Sequence, residues 1–404
     1  MGFIKFVKLS FGLVLKGHRT YFMWLALLLA LIALGAFHYL QQLQQGLIVT
    51  SMRDQISWGF YIGNFTFMVG VAAAAVVLVV PAYIYDWKPI KEIVLLGELL
   101  AVSAIIVCVF LVTVDIGRPE RAWHLTPIIG NLNWPASLLA WDIFALTGYF
   151  ILNWFIVTYL VYKAFAKQEV NHRLLKPLIY LSIPLAVSIH TVTAFLYVAV
   201  PGRPFWHNPI LAPRFLASAF CSGPALLLIV FQIIRARTSF DITDKALDKI
   251  AELLTYAMVI NLFLFGCELF TEFYSPTEHT IHAEYMFFGL HGHQDISIYI
   301  RIGVILNLIA CTIYLFPPLR HNRLFMNLGA LMVFCGVYIE KGMGLIIPGL
   351  TPDPLGDLYH YFPSPVEWFV GIGVLAFGAL IYTLMVKVAI PISLGQVDIE
   401  TELR

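Results

Sequence analysis

The chain has 404 residues, of which 60% are hydrophobic and only 12% charged, with a mean hydropathy of +0.83 and a net charge of +1. A soluble domain carries about 25% charged residues, so the charges here are too few to cover a water-exposed surface. The chain has no acidic or basic tail and no cluster of lysine and arginine, so nucleic acid is not an expected partner.

The chain begins with Lys5, Lys8, Lys16 and Arg19 ahead of an apolar run, without a small-residue cleavage site. We interpret this segment as the cytoplasmic lead to a retained first helix. Ten apolar runs of spanning length follow, near residues 21–43, 57–85, 92–115, 136–162, 174–199, 212–235, 249–273, 296–317, 324–348 and 366–390. The sequence therefore predicts an all-α integral membrane bundle of about ten transmembrane helices, forming one domain over residues 1–404 with no soluble domain.

The orientation follows from the basic residues. With the N-terminus inside, 18 of the 25 lysine and arginine residues fall on the inner side, which predicts that both termini are cytoplasmic in a multi-pass protein of the cytoplasmic (inner) membrane. The long loops at 115–135, 200–211, 274–295 and 349–365 then lie outside. They are rich in His, Trp, Tyr, Pro and Gly, so we expect chemistry or docking on the outer face. The alternative is an interfacial aromatic belt with polar loops.

The second span opens with Trp58-Gly-Phe-Tyr-Ile-Gly-Asn64. Tyr61 and Asn64 could donate hydrogen bonds into a pocket, while the small residues Gly63 and Gly70 allow close helix contact. Helix packing alone would explain the same residues.

The third span runs into the segment DIGRPERAWH, from Asp115 to His124. A charge at membrane depth costs about 2.5–3.5 kcal/mol and is usually paired or functional. The turn after Gly117 can direct Arg118, Glu120 and His124 into a pocket. The alternative is a solvated loop with local ion pairs.

The fourth span carries Trp134 near its start and then Trp141 and Asp142. Asp142 has no charged neighbour on its own helix, so we expect a partner from the loop that holds His124. A His–Asp pair in an outer pocket suits proton exchange with a quinone, whose reduction takes two electrons and two protons. A structural Asp142, bonded to a backbone amide or a tryptophan, is the alternative.

His190 lies in the fifth span, where a lone histidine is either a packing residue or a haem ligand. Haem is not expected, since no second buried histidine stands in a suitable partner span. The five cysteines are dispersed over apolar stretches without a CxxC pair, so no metal, flavin or iron–sulfur cluster is expected in this chain.

Further ionisable residues lie within the spans: Glu98, Glu268, Glu272, Glu340 and Lys341. They could form a proton path, or they could pair with Arg301 or with each other.

Several of these stretches together resemble the NrfD-like family, the quinone-interacting membrane subunits of polysulfide reductase and related respiratory complexes. The matching pieces are residues 58–64, 115–124, 141–142, 188–195, 205–206, 212–215, 338–348 and 363–368. The ten-helix length resembles the larger branch, which includes the DsrP and menaquinone reductase membrane subunits. Lys341 departs from the family, whose members often have arginine there.

The resemblance implies a menaquinone pocket near the outer face and no cofactor held within the subunit. It implies that His124 and Asp142 are the quinone and proton residues. It also implies a periplasmic ferredoxin-like iron–sulfur partner, with further cytochrome or redox subunits. The other expected pocket residues are Tyr61, Asn64, Asp115, Arg118, Glu120, Trp134, Trp141, His190 and Arg214.

Two functions thus compete at this point. The first is a quinone/quinol-interacting subunit of a respiratory oxidoreductase, which is not catalytic alone. The second is a proton or ion transporter that uses Glu98, Asp142, Glu268 and Glu340 as a relay. A passive membrane anchor is a third possibility, but it would not need so many buried ionisable residues.

Overall fold

The computed structural model describes residues 2–126, 128–274, 277, 280–294 and 296–399. Within these ranges the secondary structure is helical apart from one isolated bridge between Leu290 and His293, and ten helices are long and apolar enough to cross a membrane. They are α1 (Arg19–Gln45), α2 (Phe60–Ile84), α3 (Val94–Asp115), α4 (Leu138–Phe165), α5 (His172–Val198), α6 (Leu211–Arg237), α7 (Asp244–Tyr274), α8 (Ser297–Leu315), α9 (Arg323–Leu350) and α10 (Pro365–Ser393). The predicted all-α bundle of ten spans is confirmed.

The helix boundaries follow the apolar runs closely, with one larger difference at the start of α7. That helix begins at Asp244, about a turn before the predicted apolar run. Its first turns carry Asp244, Lys245, Asp248 and Lys249, which favour helix but not the membrane interior. The helix therefore extends beyond the apolar run.

Two of the spanning helices are interrupted. α9 consists of Arg323–Lys341 and Met343–Leu350, separated at Gly342, whose torsion angles (φ −81°, ψ −107°) leave the helical region. α2 changes at Ala73 and ends in a π-helical turn over Val80–Ile84. The break in α2 lies within a run of hydrophobic residues, so the apolar pattern did not predict it. The break in α9 directly follows the charged residues Glu340 and Lys341, although the span as a whole was predicted as one helix.

The helices form two rings of four, with an outer pair beside them. The first ring consists of α2, α3, α4 and α5: each helix contacts the next one in the chain, and α5 contacts α2. The second ring consists of α6, α7, α8 and α9 in the same arrangement, with α9 in contact with α6. The rings meet where α2 packs on α6 and α9 and where α5 packs on α6. α1 and α10 pair with each other, and α10 lies against α3.

The two ends of the described chain lie on one side of the bundle. Phe6, in the N-terminal helix Gly2–Val14, packs on the rings of Tyr162 and Phe165 at the end of α4. The backbone of Ile399 bonds to the carbonyl of Phe165 at 3.1 Å. We call this side the terminal face and the opposite side the loop face.

The loop face holds the long connections that follow α1, α3, α5, α7 and α9. Residues 275, 276, 278, 279 and 295 of the predicted 274–295 loop lie outside the described residues. Whether the terminal face is cytoplasmic stays a prediction.

Large hydrophobic side chains point outward around the bundle. Phe263, Phe270 and Ile305 are each more than half exposed on the outer sides of α7 and α8. Such exposure would be unfavourable in water and is ordinary against lipid, so the side-chain arrangement agrees with the membrane class predicted from composition.

Candidate functional site

The first ring holds a buried carboxyl group near the loop face. Asp142 is four residues from the start of α4, about 6 Å along the helix axis, and its side chain is buried. Its Oδ1 lies 2.8 Å from the hydroxyl of Thr193 on α5, which also lies 2.7 Å from the carbonyl of Ile189. A hydroxyl has one hydrogen and can also accept. Thr193 can therefore donate to an ionised Asp142 or accept from a protonated one.

Aromatic side chains pack together beside Thr193 under the loop face. Tyr197, one turn beyond Thr193, shares a 2.5 Å hydrogen bond with the Thr66 hydroxyl on α2. The ring of Tyr197 meets Trp206 and Trp58 edge-on, with centroids 5.2 and 5.5 Å away, and the two tryptophans stack at 5.5 Å. These rings supply flat apolar walls beside polar hydroxyl groups.

His190 lies one turn from Thr193 on the same helix and is fully buried. Its Nδ1 lies 3.1 Å from the carbonyl of Ala186, and its Nε2 has no hydrogen-bond partner. A carbonyl can only accept, so Nδ1 carries a hydrogen. In the neutral ring Nε2 is therefore free to accept a proton or a hydrogen bond.

Asn64 and Tyr61 are both buried, as expected for pocket residues, but their side chains already have partners. The Asn64 amide donates to the Phe60 carbonyl at 2.7 Å and accepts from Tyr338 on α9 at 3.1 Å. The Tyr61 hydroxyl donates to Gln42 on α1 at 2.7 Å. Both residues therefore tie α2 to neighbouring helices.

The predicted pair of His124 and Asp142 is not formed. His124 is exposed and stacks on the ring of Trp123 at 3.8 Å, whereas Asp142 is buried against Thr193. Both residues are in the described part of the chain, and no hydrogen bond or ion pair joins their side chains. Asp142 finds its polar partner on α5, so the loop does not need to supply one.

The rest of the segment from Asp115 to His124 behaves largely as a surface loop. Arg118 and Glu120 form an ion pair at 3.5 Å with side chains 75% and 60% exposed, which is the local pairing named as the alternative. Asp115 differs, because its Oδ1 is buried without a partner. It lies near Tyr61, at the loop-face end of α3.

Trp134 and Trp141 form an exposed aromatic pair. Their ring centroids are 4.1 Å apart, both are partly exposed, and the Trp141 indole donates to the carbonyl of Pro135 at 2.9 Å. They face outward at the loop-face end of α4, which matches an interfacial aromatic belt better than the lining of a pocket.

The second ring holds an ion cluster. Arg214 on α6 forms ion pairs with Glu268 on α7 and Glu340 on α9, and the three side chains are 14%, 8% and 15% exposed. Asn307 on α8 donates to the other oxygen of Glu340 at 3.2 Å. All four helices of the ring thus contribute to one cluster.

This cluster corrects two expectations. Arg214 was expected to contact quinone, and its guanidinium is instead taken up by the two glutamates. Arg301 was a candidate partner for the glutamates, but it bonds to the carbonyl and hydroxyl of Ser297 on its own helix. Glu272, one turn beyond Glu268, is buried as well.

Lys341 adds a second positive charge beside the break in α9. It is buried, donates to the carbonyl of Phe215 at 2.8 Å, and lies 4.4 Å from the centroid of that ring. Together with Arg214 it balances the charges of Glu268 and Glu340. A cavity of about 40 Å³ borders these four side chains, which is room for water but not for a quinone ring.

Glu98 is separate from both clusters. It is buried on α3 with one oxygen unpartnered, and 17 residues separate it from Asp115, about 26 Å along the helix. It therefore lies toward the terminal face. The expected proton residues do not form one continuous chain of contacts.

Sequence comparisons relate the chain to known membrane subunits. A subunit of the selenate reductase of Mesobacillus selenatarsenatis is 26% identical, covering 86% of this chain and 88% of the relative. The Hdr-like menaquinol oxidoreductase integral membrane subunit of Archaeoglobus fulgidus is 23% identical, covering 91% and 92%. The menaquinone reductase integral membrane subunit of Nitratidesulfovibrio vulgaris is 22% identical, covering 90% of each.

The family model described as polysulphide reductase, NrfD, matches residues 48–352. This range begins just before α2 and ends just after α9, so it contains both four-helix rings and both polar clusters. The chain belongs to the NrfD family.

Proposed function

We propose that this chain is the quinone-interacting membrane subunit of a multi-subunit respiratory oxidoreductase, with its quinone site at the loop-face ends of α2, α4 and α5. The observation that carries the proposal is the buried Asp142–Thr193 contact one turn from the unpartnered Nε2 of His190. Two relatives are named for menaquinol or menaquinone chemistry, which supports menaquinone as the carrier.

The residues of the first ring fit such a carrier. Menaquinone, when bound, takes up or gives up two electrons and two protons. The Asp142 carboxyl group can hold one proton, and the His190 Nε2 can accept another. Thr66 and Tyr197 share one hydrogen bond, so when Thr66 donates to Tyr197 the Tyr197 hydroxyl can donate to a carbonyl oxygen. Trp58 and Trp206 offer flat apolar surfaces.

Electrons must pass to or from a partner subunit in this proposal. The relatives are named as subunits of selenate reductase and of quinone-linked oxidoreductases. We propose that the partner is a ferredoxin-like iron–sulfur protein docked on the loop face, joined by further cytochrome or redox subunits. The excess of lysine and arginine on the terminal face supports a periplasmic loop face in the cytoplasmic membrane.

The test is the exchange Asp142→Asn in the assembled complex. We expect loss of quinol-linked electron transfer with normal assembly, since the amide keeps the shape but cannot hold the exchangeable proton. Asp86→Asn is the matched control, because Asp86 is an exposed residue between α2 and α3 on the terminal face. Normal turnover of the Asp142 variant would contradict the proposed site.

A second candidate function is proton or ion translocation through the second ring. One observation favours it: α9 is interrupted at Gly342, directly after Glu340 and Lys341, and the cavity borders that break. Interrupted helices with polar groups at the break are typical of transport sites. Potential-driven proton uptake by vesicles in which this protein is the sole component would support it. Uptake no faster than in protein-free vesicles would refute it.

A further inference from the structure

The two rings meet at a small space beside Gly70 of α2. A Cβ atom at this position would lie 3.4 Å from the Ser222 Oγ of α6 and 3.5 Å from the Lys341 Nζ of α9. Both polar atoms thus lie close to one point and are at most 6.9 Å apart. The glycine leaves a space of about one methyl group between them.

The atoms around this space have unused hydrogen-bonding capacity. Ser222 is fully buried and its Oγ has no partner. The Lys341 ammonium has three hydrogens and donates one of them to Phe215. Buried polar groups without protein partners are commonly satisfied by internal water, which makes about three hydrogen bonds.

Lys341, which borders this space, interacts with residues of both rings. On the side of the first ring, His190 interacts electrostatically with Lys341 and has an unpartnered Nε2. In the second ring, Glu340 is the residue before Lys341. It forms an ion pair with Arg214, which also forms an ion pair with Glu268. Lys341 thus interacts electrostatically with His190 of the first ring and with Glu340 and Arg214 of the second ring.

We propose that the space beside Gly70 binds water and that this water carries protons between the two rings. In each transfer the His190 imidazolium gives up one proton from Nε2, and the Glu340 carboxylate accepts one. Lys341 keeps its three hydrogens and orients the water together with Ser222. The role of His190 as the first acceptor rests on the proposed quinone site.

The variant Gly70→Ala fills this space without disturbing the fold. Its nearest neighbours would be 3.4–3.6 Å from the new methyl group, an ordinary contact distance, and alanine is favoured over glycine inside a helix. Gly266→Ala on α7 is the matched control, because nothing lies within 4 Å of its Cβ position. Both variants replace a glycine inside a helix by alanine, and only Gly70→Ala places the new methyl group in the space between Ser222 and Lys341.

The water can be detected by radiolytic labelling of the full-length protein equilibrated in ¹⁸O-water. Phe215 is buried beside Lys341 and also borders the cavity next to Glu340, so its ring can take up label only from internal water, either beside Gly70 or in that cavity. We expect equal labelling of Phe215 in the wild type and in Gly266→Ala, and weaker labelling in Gly70→Ala, where only the water of the neighbouring cavity remains. Equal labelling in all three proteins, or no label in the wild type, would overturn the water site.

The proton connection is tested in the assembled complex in vesicles, by quinol turnover and proton transfer with menadiol as the quinol. We expect Gly266→Ala to match the wild type and Gly70→Ala to lose proton transfer linked to turnover. Unchanged proton transfer in Gly70→Ala would overturn the connection. A wild-type complex without quinol turnover would instead contradict the proposed function, and the labelling result would still decide the water site.

Discussion

Removal of the Arg214 guanidinium should destabilise the second ring strongly. The variant Arg214→Met keeps much of the side-chain volume but leaves Glu268 and Glu340 facing each other without their shared cation. The charges of Arg214, Lys341, Glu268 and Glu340 sum to zero, and the variant changes the sum to −1. Breaking a buried ion pair in this way costs about 3–5 kcal/mol.

The double variant Arg214→Met with Glu340→Gln restores a neutral cluster, because Lys341 then balances Glu268. We therefore expect it to be more stable than the single variant, although it contains one more substitution. Arg118→Met serves as the control, since its ion pair is exposed and such pairs contribute about 0–1 kcal/mol.

The assay is thermal unfolding of the full chain in detergent at one fixed heating rate, because membrane proteins often unfold irreversibly. The expected order of midpoints is wild type and Arg118→Met highest, the double variant next, and Arg214→Met lowest. A midpoint of Arg214→Met equal to that of the wild type would refute the reasoning, and so would a double variant no better than the single one.

Three further predictions concern other parts of the molecule. Gly35→Ala should lower the free energy of unfolding by about 1–3 kcal/mol, because its Cβ would lie 2.7 Å from the backbone of Gly373. A melting midpoint equal to that of the wild type would contradict the close α1–α10 contact. His124→Ala should reduce quinol turnover less than Asp142→Asn, because His124 is exposed; an equal loss would mean that the loop moves onto the site. Burial and the Glu367 carboxylate raise the pKa of Tyr361. The free energy of unfolding should therefore fall above about pH 10, where this tyrosine ionises in the unfolded chain but not in the folded one. Unfolding measured as a function of pH should show a smaller fall in Tyr361→Phe.

The spans could be predicted from the sequence because each depends on local composition. Twenty or so apolar residues in a row are enough to identify a spanning helix, and the positions of α1 to α10 follow from that alone. The break at Gly342 could not be predicted in this way. It lies inside a span that was predicted as one helix, directly after Glu340 and Lys341, and it depends on how α9 meets α2 and α6.

The site was predicted less well because its contacts join residues that are far apart in the sequence. Asp142 was expected to find its partner in the loop that holds His124, and its partner is a hydroxyl 51 residues away on α5. Threonine is common in membrane helices, so nothing in the sequence marks Thr193 as that partner. Arg214 and Glu340 are separated by 126 residues, and only the order of helices in the second ring brings them together.

The position of the outer pair limits how a neighbouring membrane protein can reach the first ring. α10 lies along α3 and pairs with α1, and Val109 and Phe110 are the large hydrophobic side chains of α3 that remain exposed. A photoreactive group placed on α3 at either of these residues could cross-link to an adjacent polypeptide. The same group at Leu99 or Ile105, both buried, would react only within the chain.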